Sequence, residues 1–196
     1  MLQQLLKWLR EHERNKRAST TENGGEQFTR PATWEDVGRV TSLLCQHGVD
    51  FILVGGYALA ANGIVRTTED IDIAVNPDKD NSKKWILALS HLPDGVTREL
   101  MDEEDPFDGD YTHALRVNDA FTVDIMPSVC GISFDELRRY AVDTDIGGTT
   151  VPVLSLDGLL LTKSGVREKD RLDAEAIRRA IEFLGQQAPR PRGPAP

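Results

Sequence analysis

The sequence predicts one α/β (α+β) domain. Two alternating stretches, residues 68–75 and 121–126, have the period of half-buried strands. Around them apolar residues recur at helical spacing, and Gly-Gly and Asn-Asp turn signals separate the two kinds of segment. Strands and helices mixed along one chain, with a hairpin among them, are the pattern of a sheet layered against helices.

Each element has a local reason. Leu2, Leu5, Leu6 and Leu9 share one helical face. That stripe fits a short helix packing on the domain or on a neighbouring chain; a membrane-surface helix fits less well, because Glu11 and Glu13 interrupt its basic face. Residues 15–31 are polar with a Gly-Gly pair and read as a linker, so residues 1–32 form an N-terminal helix plus flexible linker. The domain proper is expected over residues 33–186. Thr33 and Asp36 have the spacing of a helix N-cap and its N3 partner. Val37, Val40, Leu43 and Leu44 then form a stripe that stops at Gly48. Residues 51–54 are an apolar run of strand length, Gly55-Gly56 breaks it, and residues 57–62 favour a short helix. In residues 68–75, Ile71, Ile73 and Val75 face one way and Asp70, Asp72 and Ala74 the other. Residues 82–92 align Trp85, Ile86 and Leu89 on a helix, and residues 99–110 are an acidic loop. Residues 111–117 and 121–126 read as a hairpin turning at Asn118-Asp119-Ala120. Ser133 and Glu136 repeat the capping spacing. A strand follows Gly147-Gly148 at 150–154, and helices follow near 156–164 and 170–184. The second of these turns Leu172, Ala176, Ile177, Ala180, Ile181 and Leu184 inward. Residues 187–196 are a Pro-rich tail without apolar period.

Composition narrows the function classes. At 196 residues the chain can bury a sizeable core. Its 23 Lys plus Arg against 32 Asp plus Glu leave a net charge of −9. That argues against non-specific coating of nucleic acid, though not against a local basic groove. No apolar run approaches the roughly 20 residues that span a bilayer. The N-terminus lacks the apolar core and small-residue cleavage site of a secretory signal. A cytoplasmic protein with no membrane partner is therefore expected. Cys45 and Cys130 form no metal-type cluster and read as reduced thiols, which sets aside a disulfide scaffold and a structural zinc module.

The chemistry concentrates in three places. Asp70 and Asp72 point to the same side of a strand, where two carboxylates repel unless a cation lies between them. Mg²⁺ is held in this way, by one or two carboxylates plus substrate phosphates; a solvated strand face fits the same pattern. Gly55-Gly56, between a strand and a helix, lets backbone approach a phosphate, or makes a simple tight turn. Asp124 is an isolated acid in the apolar run Val123-Asp124-Ile125, where it has either a task or an edge facing solvent.

Gly55-Gly56, then Asp70-x-Asp72, then Asp124 on a later strand, resembles the nucleotidyltransferase superfamily. The resemblance spans residues 34–184. The cluster Lys163-Ser-Gly-Val-Arg167-Glu-Lys169-Asp170-Arg-Leu-Asp173 is similar to the lysine motif of the AbiEii-like toxins of bacterial type IV toxin–antitoxin systems. The resemblance implies a nucleotidyltransferase fold, a central mixed β-sheet flanked by helices. It implies transfer of a nucleoside monophosphate from an NTP to an acceptor hydroxyl, with release of pyrophosphate. Gly55 and Gly56 would cradle the triphosphate, and Asp70, Asp72 and Asp124 would be the catalytic ligands of two Mg²⁺ ions. Lys163 would reach the phosphates, Lys169 and Asp170 would form the later charged pair near the site, and Arg66 could also face phosphate. The toxin relatives imply a tRNA or protein acceptor and a cognate antitoxin, with association through the N-terminal helix. An antibiotic-type, small-molecule nucleotidyltransferase and a non-catalytic nucleotide-binding module are the alternatives.

Three features depart from the pattern. Many relatives have Gly-Ser where this chain has Gly55-Gly56, the helical acceptor domain of the larger toxins is missing, and the net charge is acidic for an RNA acceptor. Basic residues do cluster locally, among them Arg138, Arg139, Arg171, Arg178 and Arg179. His113 and Tyr57 fit either a substrate contact or a structural role, whereas Trp34 and Trp85 sit on amphipathic stripes and are expected in the core.

Overall fold

The computed structural model describes residues 29–102, 106–107, 113–163 and 168–187. The expected N-terminal helix, most of the linker, residues 188–196 of the Pro-rich tail, Arg167 and half of the acidic loop lie outside the described residues.

Thr33 starts the first helix as the sequence requires. It accepts from the Asp36 amide, and the Asp36 carboxylate accepts from the Thr33 amide at 2.8 Å, closing a capping box at the start of α1 (Trp34–Gln46). The chain before it is already tied to the domain. The Arg30 amide donates to Ala120 O, the Ala32 amide donates to Glu69 O, and the Arg30 guanidinium grips both oxygens of Asp36. After α1 come β1 (Phe51–Leu53), α2 (Gly55–Ala61), β2 (Ile71–Val75) and α3 (Lys79–Leu89). A 3-10 turn (Val96–Leu100) precedes the hairpin β3 (Leu115–Asn118) and β4 (Thr122–Met126). A second, small hairpin pairs β5 (Ser128–Val129) with β6 (Ile132–Ser133) and leads into α4 (Phe134–Arg138). The chain ends through β7 (Ala141–Ile146), β8 (Thr149–Leu154), α5 (Leu156–Leu161) and α6 (Glu168–Gln187).

Six strands form one mixed sheet in the order β3-β4-β2-β1-β8-β7. The central pairs β2–β4 and β1–β8 are parallel, while β1–β2, β3–β4 and β7–β8 are antiparallel. Helix α1 packs on α3 and β8; α2 lies on β2 and β8 and meets α5, which carries α6. The core takes Ile71, Ile73 and Val75 from β2, Val123 and Ile125 from β4, and Trp85 and Leu89 from α3, all buried. This is the central mixed sheet with flanking helices that the sequence analysis expected.

Several local expectations need correction. Helix α3 begins three residues before the expected 82, because Asp78 caps it by accepting from the Asp80 amide. Of the strand expected at 111–117, residues 111–112 lie outside the described residues and 113–114 are not strand, so β3 starts at Leu115, and the turn of its hairpin is Asp119-Ala120-Phe121, one residue later than expected. Strand β7 and the β5–β6 hairpin were not anticipated. Trp34 is 47% exposed rather than core, and Leu172 and Leu184 are 62% and 56% exposed rather than turned inward. Ile177 is buried and Ala180 and Ile181 pack against the core as expected, and Asp173 and Ala174 join that inward face. Among the described residues, no helix is long and apolar enough to cross a membrane.

Candidate active site

The site is built by strand register. Strands β2 and β4 pair in parallel with Asp72 opposite Asp124. Their apolar residues go to the core, so the period of two sends both carboxylates, and Asp70 just before β2, to the other side. They lie on the floor of a cleft of about 880 Å³. Its walls include Val54, Gly55, Arg66, Thr67, Thr68, Glu69, Arg116, Met126, Val129, Cys130, Thr162, Lys163, Lys169 and Asp170.

Gly55 is required twice over. Its φ is +65°, a region that side chains rarely adopt, and a Cβ there would overlap Asp72 Oδ2 and lie 2.5 Å from Asp72 Cγ. The backbone thus passes directly over the Asp72 carboxylate. Gly56 is buried rather than on the cleft wall. A Cβ on it would come within 2.6 Å of Thr68 Cβ and Oγ1, so Thr68 occupies the space that a side chain at 56 would need. Thr68 Oγ1 itself donates to Asp70 O at 3.3 Å.

The carboxylates are under electrostatic load. Burial, reinforced by Asp124 and Asp70, pushes the Asp72 carboxyl up to about 6, against the opposing pull of the Gly56 amide and Arg66. Burial also raises Asp70, with Arg116 opposing. Arg116 was missed in the sequence. It sits on β3 directly across from Asp124. Its Nε donates to Asp124 Oδ1 at 2.9 Å, and one terminal nitrogen donates to Asp124 Oδ2 at 2.7 Å and to Asp70 Oδ2 at 3.2 Å. Asp124 raises the guanidinium pKa further. A signal for it existed, since hairpin register names the residue facing Asp124, but the one-residue shift of the turn moves that partner from Ala114 to Arg116.

The lysine motif folds against this wall. Lys163 Nζ lies 2.9 Å from Asp173 Oδ2 and 3.4 Å from Asp170 Oδ1, and Arg66 Nε lies 3.4 Å from Asp173 Oδ2. Lys163, Arg66, Lys169 and Asp170 therefore share one side of the cleft, with Asp173 beneath them. The β5–β6 hairpin closes the same side, where the Cys130 thiol donates to Thr162 O at 3.1 Å. His113 is exposed just before β3. Tyr57 is buried, with its hydroxyl donating to Ala32 O and its ring edge-to-face with Trp34, so it belongs to the packing and not to the cleft.

Three carboxylates lining one cleft are a hard-oxygen donor set suited to Mg²⁺. As they stand, no three acidic, imidazole or thiol groups among the described residues converge tightly enough to hold an ion. The cation among them is Arg116. The raised Asp70 and Asp72 carboxyls and the bidentate grip on Asp124 show a cluster that calls for positive charge, so the residue types fit a divalent ion.

The model of the aminoglycoside-2''-adenylyltransferase family matches residues 36–177, well over half of the chain. No curated protein sequence matches significantly. Among solved structures, the lincosamide antibiotic adenylyltransferase LnuA, lincomycin-bound, is similar at 16% identity and a TM-score of 0.51, covering 76% of this chain and 99% of that chain. The solution structure of the antibiotic-resistance factor ANT(2'')-Ia is similar at 14% identity and a TM-score of 0.50, covering 77% and 83%. The same factor in complex with adenylyl-2''-tobramycin is similar at 13% and 0.50, covering 79% and 90%. At these identities the likeness to solved structures is one of fold.

Proposed function

Because the chain belongs to the aminoglycoside-2''-adenylyltransferase family, we propose that it moves a nucleoside monophosphate from an NTP to a hydroxyl of a small molecule, releasing pyrophosphate. The observation that carries this reading is the trio Asp70, Asp72 and Asp124 on paired strands, beneath a backbone that only glycine lets through at residue 55. Asp70, Asp72 and Asp124 would hold divalent ions, which in this chemistry activate the attacking hydroxyl and neutralise phosphate charge. Gly55 leaves room for the triphosphate beside Asp72. Arg66, Lys163 and Lys169 place positive charge along one wall, where a triphosphate can lie, and Asp170 orients Lys163. Asp124 accepts the proton of the acceptor hydroxyl. The chain's contribution is then positioning and preorganised charge.

A second reading, the toxin activity with a tRNA or protein acceptor and a cognate antitoxin, rests on the lysine motif and on Lys169, Arg171, Arg178 and Arg179, all exposed along α6. One experiment separates the two. The four α-labelled NTPs are offered with Mg²⁺ and, in turn, an aminoglycoside and lincosamide panel, total RNA, and protein. Label on a small molecule, lost in Asp70→Ala and Asp72→Ala, is the expected result. Label on RNA or protein would overturn the small-molecule reading in favour of the second. No label in any arm would count against transfer itself.

A further inference from the structure

Arg116 is the least expected member of the site. Its side chain is 56% exposed, yet its head commits three hydrogen bonds to two of the three carboxylates. Ordinary exposed ion pairs contribute little and are held loosely. This one is bidentate, planar and set by strand register, with Arg116 and Asp124 directly opposite on β3 and β4. Both Asp124 oxygens and one Asp70 oxygen are engaged, and the guanidinium lies in the cleft wall beside Asp72. A divalent ion on Asp124 and Asp70 would need the same oxygens and would repel the guanidinium at close range.

We propose that Arg116 is a resident counter-cation: in the free protein it holds Asp124 and Asp70 aligned and competes with a divalent ion for their oxygens. The proposal rests on the nucleotidyltransferase reading of the three carboxylates. Arg116 is then a positioning residue, acting through Asp124 and Asp70. It keeps a repelling acidic cluster satisfied before substrate arrives, and it makes loading of the ion costly until something else in the cleft takes the guanidinium. Phosphate oxygens of the donor nucleotide are the natural new partner. The free protein should therefore bind divalent ions weakly.

The test is calorimetric titration of the full chain with Mn²⁺ alone, without nucleotide, so that the readout is ion affinity and not turnover. Arg116→Gln should bind Mn²⁺ at least about ten-fold tighter than wild type, the order expected when a charge-assisted contact no longer competes. Arg116→Lys, which keeps the charge but loses the two-pronged grip, should fall between the two. Lys169→Gln removes the same charge from the same cleft without a contact to Asp124, and should change the affinity less than about two-fold. Arg116→Gln/Asp72→Asn should lose the tight binding, which places the ion in this cluster. Equal or weaker Mn²⁺ binding by Arg116→Gln, in a protein that still binds Mn²⁺ through Asp72, would overturn the competition and leave the carboxylate reading standing. An equal gain from Lys169→Gln would overturn it too, as a field effect. No Mn²⁺ binding by either wild type or Arg116→Gln would overturn the metal reading and the proposal together.

Discussion

Replacing Asp72 with Asn should stabilise the protein while ending transfer. Burial and two neighbouring carboxylates hold the Asp72 carboxyl at about 6 instead of its ordinary 3.8. An acid whose pKa is higher folded than unfolded binds more protons when folded, so its contribution to stability is full at low pH and is lost as pH rises through the interval. The two values lie roughly two pH units apart, which is roughly 3 kcal/mol of stability given up between about pH 4 and pH 6. The Asn amide carries no charge to desolvate, and its carbonyl oxygen can still accept from the Gly56 amide. It does lose the attraction of Arg66, so a net gain of about 1–3 kcal/mol at about pH 7.5 is expected. Urea unfolding of both proteins in EDTA, at about pH 4 and about pH 7.5, reads the difference directly. The two should converge at the lower pH and separate at the higher one, and adding Mg²⁺ should stabilise wild type but not the variant. An Asp72→Asn protein no more stable than wild type at the higher pH would refute the idea that the cluster is held under charge repulsion.

Other consequences follow from the same geometry. Gly55→Ala should reduce transfer by at least about 100-fold, because its Cβ overlaps the Asp72 carboxylate and a misplacement of about 1 Å in a reacting group has that scale of effect; steady-state kinetics would show it. Lys163→Met keeps the aliphatic stem but takes from Asp170 and Asp173 their ion pairs with Lys163, leaving Arg66 beside Asp173; a loss of about 2–3 kcal/mol is expected in thermal unfolding, together with a higher KM for the NTP. Asp36→Asn should cost about 1–2 kcal/mol near neutral pH, since the Arg30 grip and the Thr33 cap hold this carboxyl down at about 2. Here the sign is opposite to Asp72: the stabilisation is present above about pH 4 and disappears towards pH 2, so the two unfolding curves should meet in acid.

Much of the site was legible because its signals are local. The period of two in residues 68–75 places Asp70 and Asp72 on one side whatever the sheet does, and the apolar neighbours of Asp124 mark it as an acid with a reason to be there. Thr33 and Asp36 cap α1 through contacts three residues apart. Elements without such a signal were missed. Strand β7 is an edge strand on which Val142, Asp143 and Asp145 are exposed and only Ile146 is buried, so no continuous buried face shows as apolar alternation. Helix α6 has an apolar stripe that looked inward, yet Leu172 and Leu184 remain exposed. Periodicity identifies a face, but only the neighbouring elements decide how much of it is covered.

By itself, then, the sequence determined the alternation of strands and helices, the Gly55 turn and the three acids, all set by backbone period, turn chemistry and short-range caps. Tertiary structure alone decided what surrounds them. Strand order brought Asp124 beside Asp72, a one-residue difference in a hairpin turn put Arg116 across from Asp124, and the packing of α6 set Lys163 between Asp170 and Asp173. The physical reason is that cross-strand and interhelical neighbours are chosen by register and packing. A shift of one residue, nearly silent in the amino-acid pattern, exchanges one charged partner for another.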